Sequence, residues 1–224
     1  MAENDERSMN NHPLTVNRFD AVILADGNFP TADIPLQILR EAEFLCCCDG
    51  AAMAAVRHGF QPQAIVGDGD SMEPEFKVQH ASIIHLESGQ DDNDLTKATR
   101  FCKSLGFKRI AYLAATGKRE DHTIGNIFLL PHYIRQFGVT PEIFTDHGWF
   151  SVIEGTAELS TFPGQQVSLF NITAKKIEGE GFKWLPFSYD ELWQGTLNEA
   201  KSNRIILKTD GIIIVFRSYL AKKT

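Results

Sequence analysis

The chain has 224 residues, 43% of them hydrophobic, and a formal net charge of −7. That is enough apolar material for one large domain or two modest ones, while the acidic balance argues against a non-specific nucleic-acid or anionic-membrane surface, which such a chain would repel. Four cysteines, three of them adjacent at Cys46, Cys47 and Cys48, suit neither a disulfide framework nor a spaced zinc site and read as small buried strand residues of a reducing compartment.

From the start, Met1 to Asn17 is polar, with no hydrophobic signal core, and no apolar run in the chain approaches the roughly 20 residues that span a bilayer. A disordered tail over residues 1–17 and a cytoplasmic protein are expected. Ala21 to Ala25 then reads as a strand, Asp26-Gly27-Asn28 as a turn, and Ile34 to Ala42 as a helix that Pro35 can start. Phe44 to Cys48 is a second strand ending at Asp49-Gly50, followed by an alanine-rich helix from Ala51 to His58 that Gly59 closes. Ala64 to Val66 is a third strand, and it runs straight into Gly67-Asp68-Gly69-Asp70-Ser71.

Ser82 to Leu86 reads as the fourth strand, before Gln90-Asp91-Asp92-Asn93-Asp94 and a helix through Leu105. Along that helix Leu95, Ala98, Cys102 and Leu105 recur at spacings of three and four and predict one buried stripe, with Asp94 and Lys97 on another face. Arg109 to Ala115 is the fifth strand. Gly117 to His122 precedes or opens a helix with Ile124, Ile127, Phe128 and Ile134 on its apolar face, where Pro131 should kink the helix or end its first half.

Strands alternating with helices indicate βαβ units and a parallel sheet covered on both faces, a Rossmann-like α/β domain over residues 18–148. All five polar clusters follow strands, so the topology gathers them at the carboxyl edge of one sheet, where open α/β sheets bind ligands. Asp and Gly are ordinary in surface turns, which accounts for each cluster singly. It gives no reason for carboxylates to recur on one rim, where their repulsion calls for a cation. Mg²⁺, which takes carboxylate oxygens and shares its shell with water and substrate phosphates, suits such a loop.

After about Thr145 the pattern turns to β-type runs separated by Gly, Pro and Asp, predicting a small all-β sandwich over residues 149–224. Asp210-Gly211 is the strongest hairpin signal in the chain. Trp193 reads as a core aromatic of this second domain.

Four motifs, in order and suitably spaced, resemble the thiamine pyrophosphokinase family. They are Asp49-Gly50-Ala51-Ala52; Gly67-Asp68-Gly69-Asp70-Ser71; Asp91 and Asp94 with Lys97 one turn on; and Gly117, Arg119, Asp121 and His122 followed by Gly125 and Asn126, with Lys118 between Gly117 and Arg119. In the second half, Val167-Ser168-Leu169-Phe170, Gly179 to Trp184 and Gly195-Thr196-Leu197-Asn198 are similar to family signatures, with Leu197 where serine is common. Asn93 stands where threonine is usual, and either can cap a helix.

The resemblance implies diphosphate transfer from ATP to the thiamine hydroxyl by a homodimer, with no nucleic-acid or membrane partner. It implies Asp68, Asp70 and Asp94 as Mg²⁺ ligands, and Lys97 and Arg119 as cations for the phosphates. Asp91 or Asp94 is the candidate base, and Asp68, Asp91, Asp94, Lys97 and Arg119 together form the catalytic set. Asp49, Gly50, Ser71, Gln90, Gly117, Asp121, His122 and Asn126, with Arg119, would shape the nucleotide site, and Trp184, Thr196 and Asn198 the thiamine site, where an aromatic face suits a cationic ring. Lys97 also reads as the partner of Asp94 on a solvated face, and Asp121 as a plain N-cap. Alternative functions are a pyrophosphokinase with a hydroxymethyl pterin acceptor, a non-catalytic Mg-nucleotide sensor, and a phosphatase with Asp68 as nucleophile.

Overall fold

The computed structural model describes residues 18–89 and 91–222, so the tail expected over residues 1–17 and the candidate Gln90 lie outside the described residues. The α/β half is built from β1 (Ala21–Leu24), α1 (Asp33–Arg40), β2 (Leu45–Cys48), α2 (Ala51–Arg57), β3 (Ala64–Gly67), α3 (Pro74–Gln79), β4 (Ile84–Leu86), α4 (Asp94–Ser104), β5 (Arg109–Leu113), α5 (Glu120–Phe137) and β6 (Thr140–Phe144). These strands lie in the order β6-β5-β1-β2-β3-β4, all parallel. From β1 the chain moves outward through β2, β3 and β4, then returns to the other side of β1 as β5. The gap between the carboxyl ends of β1 and β5 is therefore the switch point at which such sheets open a crevice.

Alternation along the strands explains why helices cover both faces. Ile23, Cys46, Cys48 and Tyr112 point to one face and pack with Leu95, Ala98 and Cys102 of α4 and Leu130 and Tyr133 of α5. Val22, Leu24, Leu45 and Cys47 point to the other, against Ile38 and Leu39 of α1 and Ala51, Ala52 and Ala55 of α2. All four cysteines are free and buried, as their strand and stripe positions require.

The remaining strands are β7 (Gly148–Ser160), β8 (Gln165–Asn171), β9 (Ile177–Glu180), β10 (Asn198–Glu199) and β11 (Arg204–Ala221). They do not form a detached sandwich. β7 turns back antiparallel to β6 through Phe144↔Trp149, and the same sheet continues as β7-β11-β8-β10, with β9 also on β11, making 11 strands among the described residues. Ile205, Leu207, Ile213 and Val215 all face one core with Val167 and Leu169 of β8 and Ile177 of β9, so the long strands curl around it.

Several local expectations change. Asp210-Gly211 is not a hairpin turn: β11 runs through it, with a register shift between Lys208 and Ile212. The Asp210 carboxylate is committed elsewhere, accepting from the Lys175 and Lys176 N–H groups at 2.8 and 2.9 Å. α5 continues past Pro131 to Phe137. Its buried residues are Leu130, Pro131 and Tyr133, with Ile127 and Leu129 packed against the same core, whereas Ile124 and Phe128 are exposed. Leu105 is also exposed, since it caps α4 instead of extending its stripe. Trp193 is 71% exposed and is no core aromatic.

The two backbone bonds hold the Asp210 carboxyl below its ordinary range. A depressed folded-state pKa contributes stability above the unfolded value, near 3.8, and loses it as pH falls through the folded one. Asp210→Ala should therefore unfold at lower urea than the wild type at pH 7, with the difference narrowing below about pH 4; urea titrations at both pH values check this.

Candidate active site

A cleft of about 440 Å³ lies at the carboxyl ends of the parallel strands, over the switch point. Asp26 and Gly27 reach it from the end of β1, Asp49 and Gly50 from β2, Asp68 and Ser71 from β3, Asp94 and Lys97 from the start of α4, Gly117 to Arg119 from the segment joining β5 to α5, and His122 and Asn126 from the first turns of α5. The helices contribute more than side chains. Gly50, Asn93 and Arg119, the N-cap residues of α2, α4 and α5, all line the cleft, so the N-termini of three helices border it. Such ends favour phosphate.

Asp49 sits deepest. It is 4% exposed, and its backbone adopts φ 36, in the left-handed region. One carboxylate oxygen accepts from the Ser71 N–H at 3.1 Å, and the other is buried with no partner. Burial pushes the Asp49 pKa up, and the nearby Asp94 and Asp68 carboxylates add to the rise. Gly67 makes this packing possible: a Cβ there would lie 2.7 Å from the Asp49 Cβ.

Lys97 is not on a solvated face. Its side chain is only 4% exposed and donates to Asp94 at 3.1 Å, which leaves the pair at the wall of the cleft. Asn93 is the N-cap of α4, accepting from the Thr96 N–H at 2.9 Å, and its amide donates to Asn126 on α5. Asn126 in turn donates to the Ala115 carbonyl at 2.8 Å, tying both helices to the end of β5. Arg119 grips Asp121 through two nitrogens, at 3.1 and 2.6 Å, so Asp121 is its ion partner and not a cap.

Not every candidate reaches the cleft. The wall lacks Asp70, whose exposed loop position is fixed by its N–H donating to Asp68 at 3.0 Å, and it lacks Asp91 and Asp121. It also lacks Trp184, Thr196 and Asn198. Asn198 is buried and spends its amide on the Trp184 backbone, accepting at 3.2 Å and donating at 2.7 Å, while Thr196 donates to the Trp193 carbonyl. Among the described residues no three His, Cys, Asp or Glu side chains form a metal-holding group by themselves. The cleft also contains residues outside the predicted set: Asp26, Asp92 and Lys118. The polar turns that follow β1 and β5 were the available signal for Asp26 and Lys118.

Comparison with known proteins agrees across both halves. Residues 36–140 match the family model described as thiamin pyrophosphokinase, catalytic domain, and residues 148–216 match that described as thiamin pyrophosphokinase, substrate-binding domain. The chain is 29% identical over 116 residues to Thiamin pyrophosphokinase 1 of Caenorhabditis elegans, a stretch covering 48% of this chain and 46%, about half, of that relative. Thiamine pyrophosphokinase from Bacillus subtilis superposes with a TM-score of 0.74 at 17% identity, covering 88% of this chain and 98% of that one. The Candida albicans structure gives 0.72 at 18%, covering 89% of each. At these identities the superpositions establish the fold.

The raised pKa of Asp49 means that its ionisation opposes folding: stability falls as pH rises from the unfolded value, near 3.8, through the folded one. Asp49→Asn should therefore raise Tm by about 2 °C at pH 7 without added nucleotide or divalent ion. The gain should shrink toward pH 4, and scanning calorimetry at both pH values would show it.

Proposed function

The chain belongs to the thiamin pyrophosphokinase family, and from that membership we propose that it transfers the diphosphate of ATP to the hydroxyl of thiamine, releasing AMP. The observation that carries the reading is the meeting, in one cleft, of Asp49, Asp68 and Asp94 with Lys97 and Arg119 from separate strand ends. The site combines acidic groups with helix N-termini and buried cationic charge, as a metal-carried polyphosphate requires.

The residues fit a hard divalent cation. Asp49 presents a buried, unpartnered oxygen, and its burial first, with the carboxylates near it adding to the effect, raises its pKa, a cost that a cation would offset. Mg²⁺ keeps waters and takes substrate oxygens, so it needs few protein ligands. Asp68 and Asp94 would hold the ion, with Asp70 joining through water from the edge of the loop. When bound, the ion neutralises charge on the phosphate oxygens.

In the reaction the thiamine hydroxyl oxygen forms a bond to the β-phosphorus, and the bond from that phosphorus to the α–β bridging oxygen breaks, so AMP leaves with that oxygen. Asp94, which lines the cleft, is better placed than Asp91 to receive the hydroxyl proton. Lys97 and Arg119 steady the β- and γ-phosphate oxygens. Ser71, His122 and Asn126 line the remaining wall and fix the nucleotide by hydrogen bonding.

The acceptor residues of the second half lie outside this chain's own cleft. Trp184, Leu185, Phe187, Trp193 and Leu197 are each more than half exposed on one segment between β9 and β10. A homodimer that covers this segment with a second copy's cleft accounts for both facts, and thiamine then stacks near Trp184 of the facing copy.

Incubation with Mg-ATP and thiamine should yield AMP and thiamine diphosphate in equal amounts; AMP only with a hydroxymethyl pterin would transfer the assignment to that acceptor, and inorganic phosphate without AMP would make the protein a phosphatase. Asp68→Asn should lower kcat/KM by more than about 100-fold and Asp70→Asn by about tenfold, with near-native circular dichroism in both. Mixing inactive Asp68→Asn and Trp184→Ala chains should restore about a quarter of the activity by pairing an intact cleft with an intact acceptor segment. No recovery after subunit exchange would place both halves of the site in one chain.

A further inference from the structure

Lys118 occupies a backbone position that its residue type ordinarily avoids. Its φ is 60, and the Arg119 N–H donates to the Gly117 carbonyl at 2.8 Å, which closes a tight γ-turn with Lys118 at its centre. With positive φ, that turn is the rarer and more strained of its two forms, and glycine is the residue that enters it without penalty. Gly117 just before it also has positive φ, and a Cβ there would strike Asn28, so the segment cannot relax toward β1. A lysine held in such a turn needs a compensating role.

Lys118 Nζ donates to Asp26 Oδ1 at 2.8 Å. Asp26 follows β1 and Lys118 follows β5, so this ion pair bridges the switch point of the sheet, and both residues line the cleft. The two side chains are 53% and 58% exposed, so the pair itself contributes little to stability. The cation is parked at the mouth of the cleft within reach of water, and its partner can be exchanged. The other cleft cations are held on different terms: Lys97 is buried beside Asp94, and Arg119 is clamped bidentately by Asp121.

We propose that Lys118 is a further phosphate-binding residue of this chain, and that Asp26 holds its ammonium in waiting until a nucleotide polyphosphate takes the place of the aspartate. The inference rests on the nucleotide reading of the cleft and not on the identity of the acceptor. It assigns the γ-turn strain to the placement of one positive charge across the switch point.

The test separates backbone from charge. Lys118→Ala retains the strained turn and removes the ammonium, whereas Lys118→Gly removes both, so the glycine variant should melt about 2 °C above the alanine variant. Both should bind Mg-ATP about tenfold more weakly than the wild type by isothermal titration, and by the same factor, while Lys118→Arg stays within about threefold. Asp26→Asn should tighten Mg-ATP binding about threefold in the wild-type background and leave it unchanged in the Lys118→Ala background, since the aspartate acts through the lysine. Unchanged ATP affinity in Lys118→Ala, or an Asp26→Asn effect of the same size in both backgrounds, would overturn the proposal. A wild-type chain that binds ATP with these dependences yet makes no thiamine diphosphate would refute the acceptor assignment and leave Lys118 where it is placed here.

Discussion

The structure depends on holding one buried carboxylate where it is least at ease. Asp49 combines a left-handed backbone, an unpartnered oxygen and two nearby carboxylates. Each of the three costs free energy, and a loose framework would relieve them by letting the turn rotate outward. It cannot do so here. β2 lies between β1 and β3 with packed cores on both faces, and α2 begins two residues after Asp49. Gly67 closes the remaining side by bringing the β3 backbone against the Asp49 side chain. The cohesion of the sheet centre thus offsets the strain of its rim.

The cationic side of the cleft is fixed by a different means. Beneath Lys97, Thr96 bonds the Tyr133 hydroxyl at 2.9 Å, and Thr99 bonds both the Leu95 carbonyl and the Tyr112 hydroxyl. These buried contacts join α4 to α5 and to β5 and set the rotation of α4 about its axis. That rotation directs the Lys97 side chain into the cleft wall, and it places the Asn93 cap against Asn126. Desolvation and hydrogen bonding, more than net charge, therefore decide where the positive groups stand.

The parts legible in the sequence are those governed by strand periodicity and by the turn after each strand. The alternation of Cys46, Cys47 and Cys48 between the two cores and the convergence of Asp49, Asp68 and Asp94 follow from topology alone. What escaped depends on long-range partners. The three-residue spacing of Asp94 and Lys97 looks the same on a buried face as on a wet one, and only the packing of α4 against the sheet distinguishes them. Pro141 hid β6, which pairs with β5 as well as with β7. Asp210-Gly211 has the composition of a hairpin, but its carboxylate serves a neighbouring loop and the strand passes through. At Lys118 the local rule for a positive-φ turn fails, which is expected where a site overrides propensity.

The continuity of the sheet across Phe144 and Trp149 bears on how the two halves act together. Trp149 is stacked with Tyr219 at 5.7 Å on one side and lies 4.4 Å from the Arg217 guanidinium on the other. Arg217 also donates to the Ser160 carbonyl at the far end of β7, although its cross-strand neighbour on that strand is Trp149 at the near end. One side chain can meet both ends of β7 only if the strand curls back on itself, so this contact fixes the curl that encloses the third core. Burial depresses the Arg217 pKa to about 10, and the partly buried Glu142 on β6 opposes that shift. A charge so placed adds little net stability, since its desolvation consumes most of the Coulombic gain. What it specifies is geometry: β6, which ends at the same carboxyl edge as β5, and β11, which carries the β-rich half, are held together across β7, so the exposed segment bearing Trp184 projects from a frame hydrogen-bonded strand by strand to the cleft.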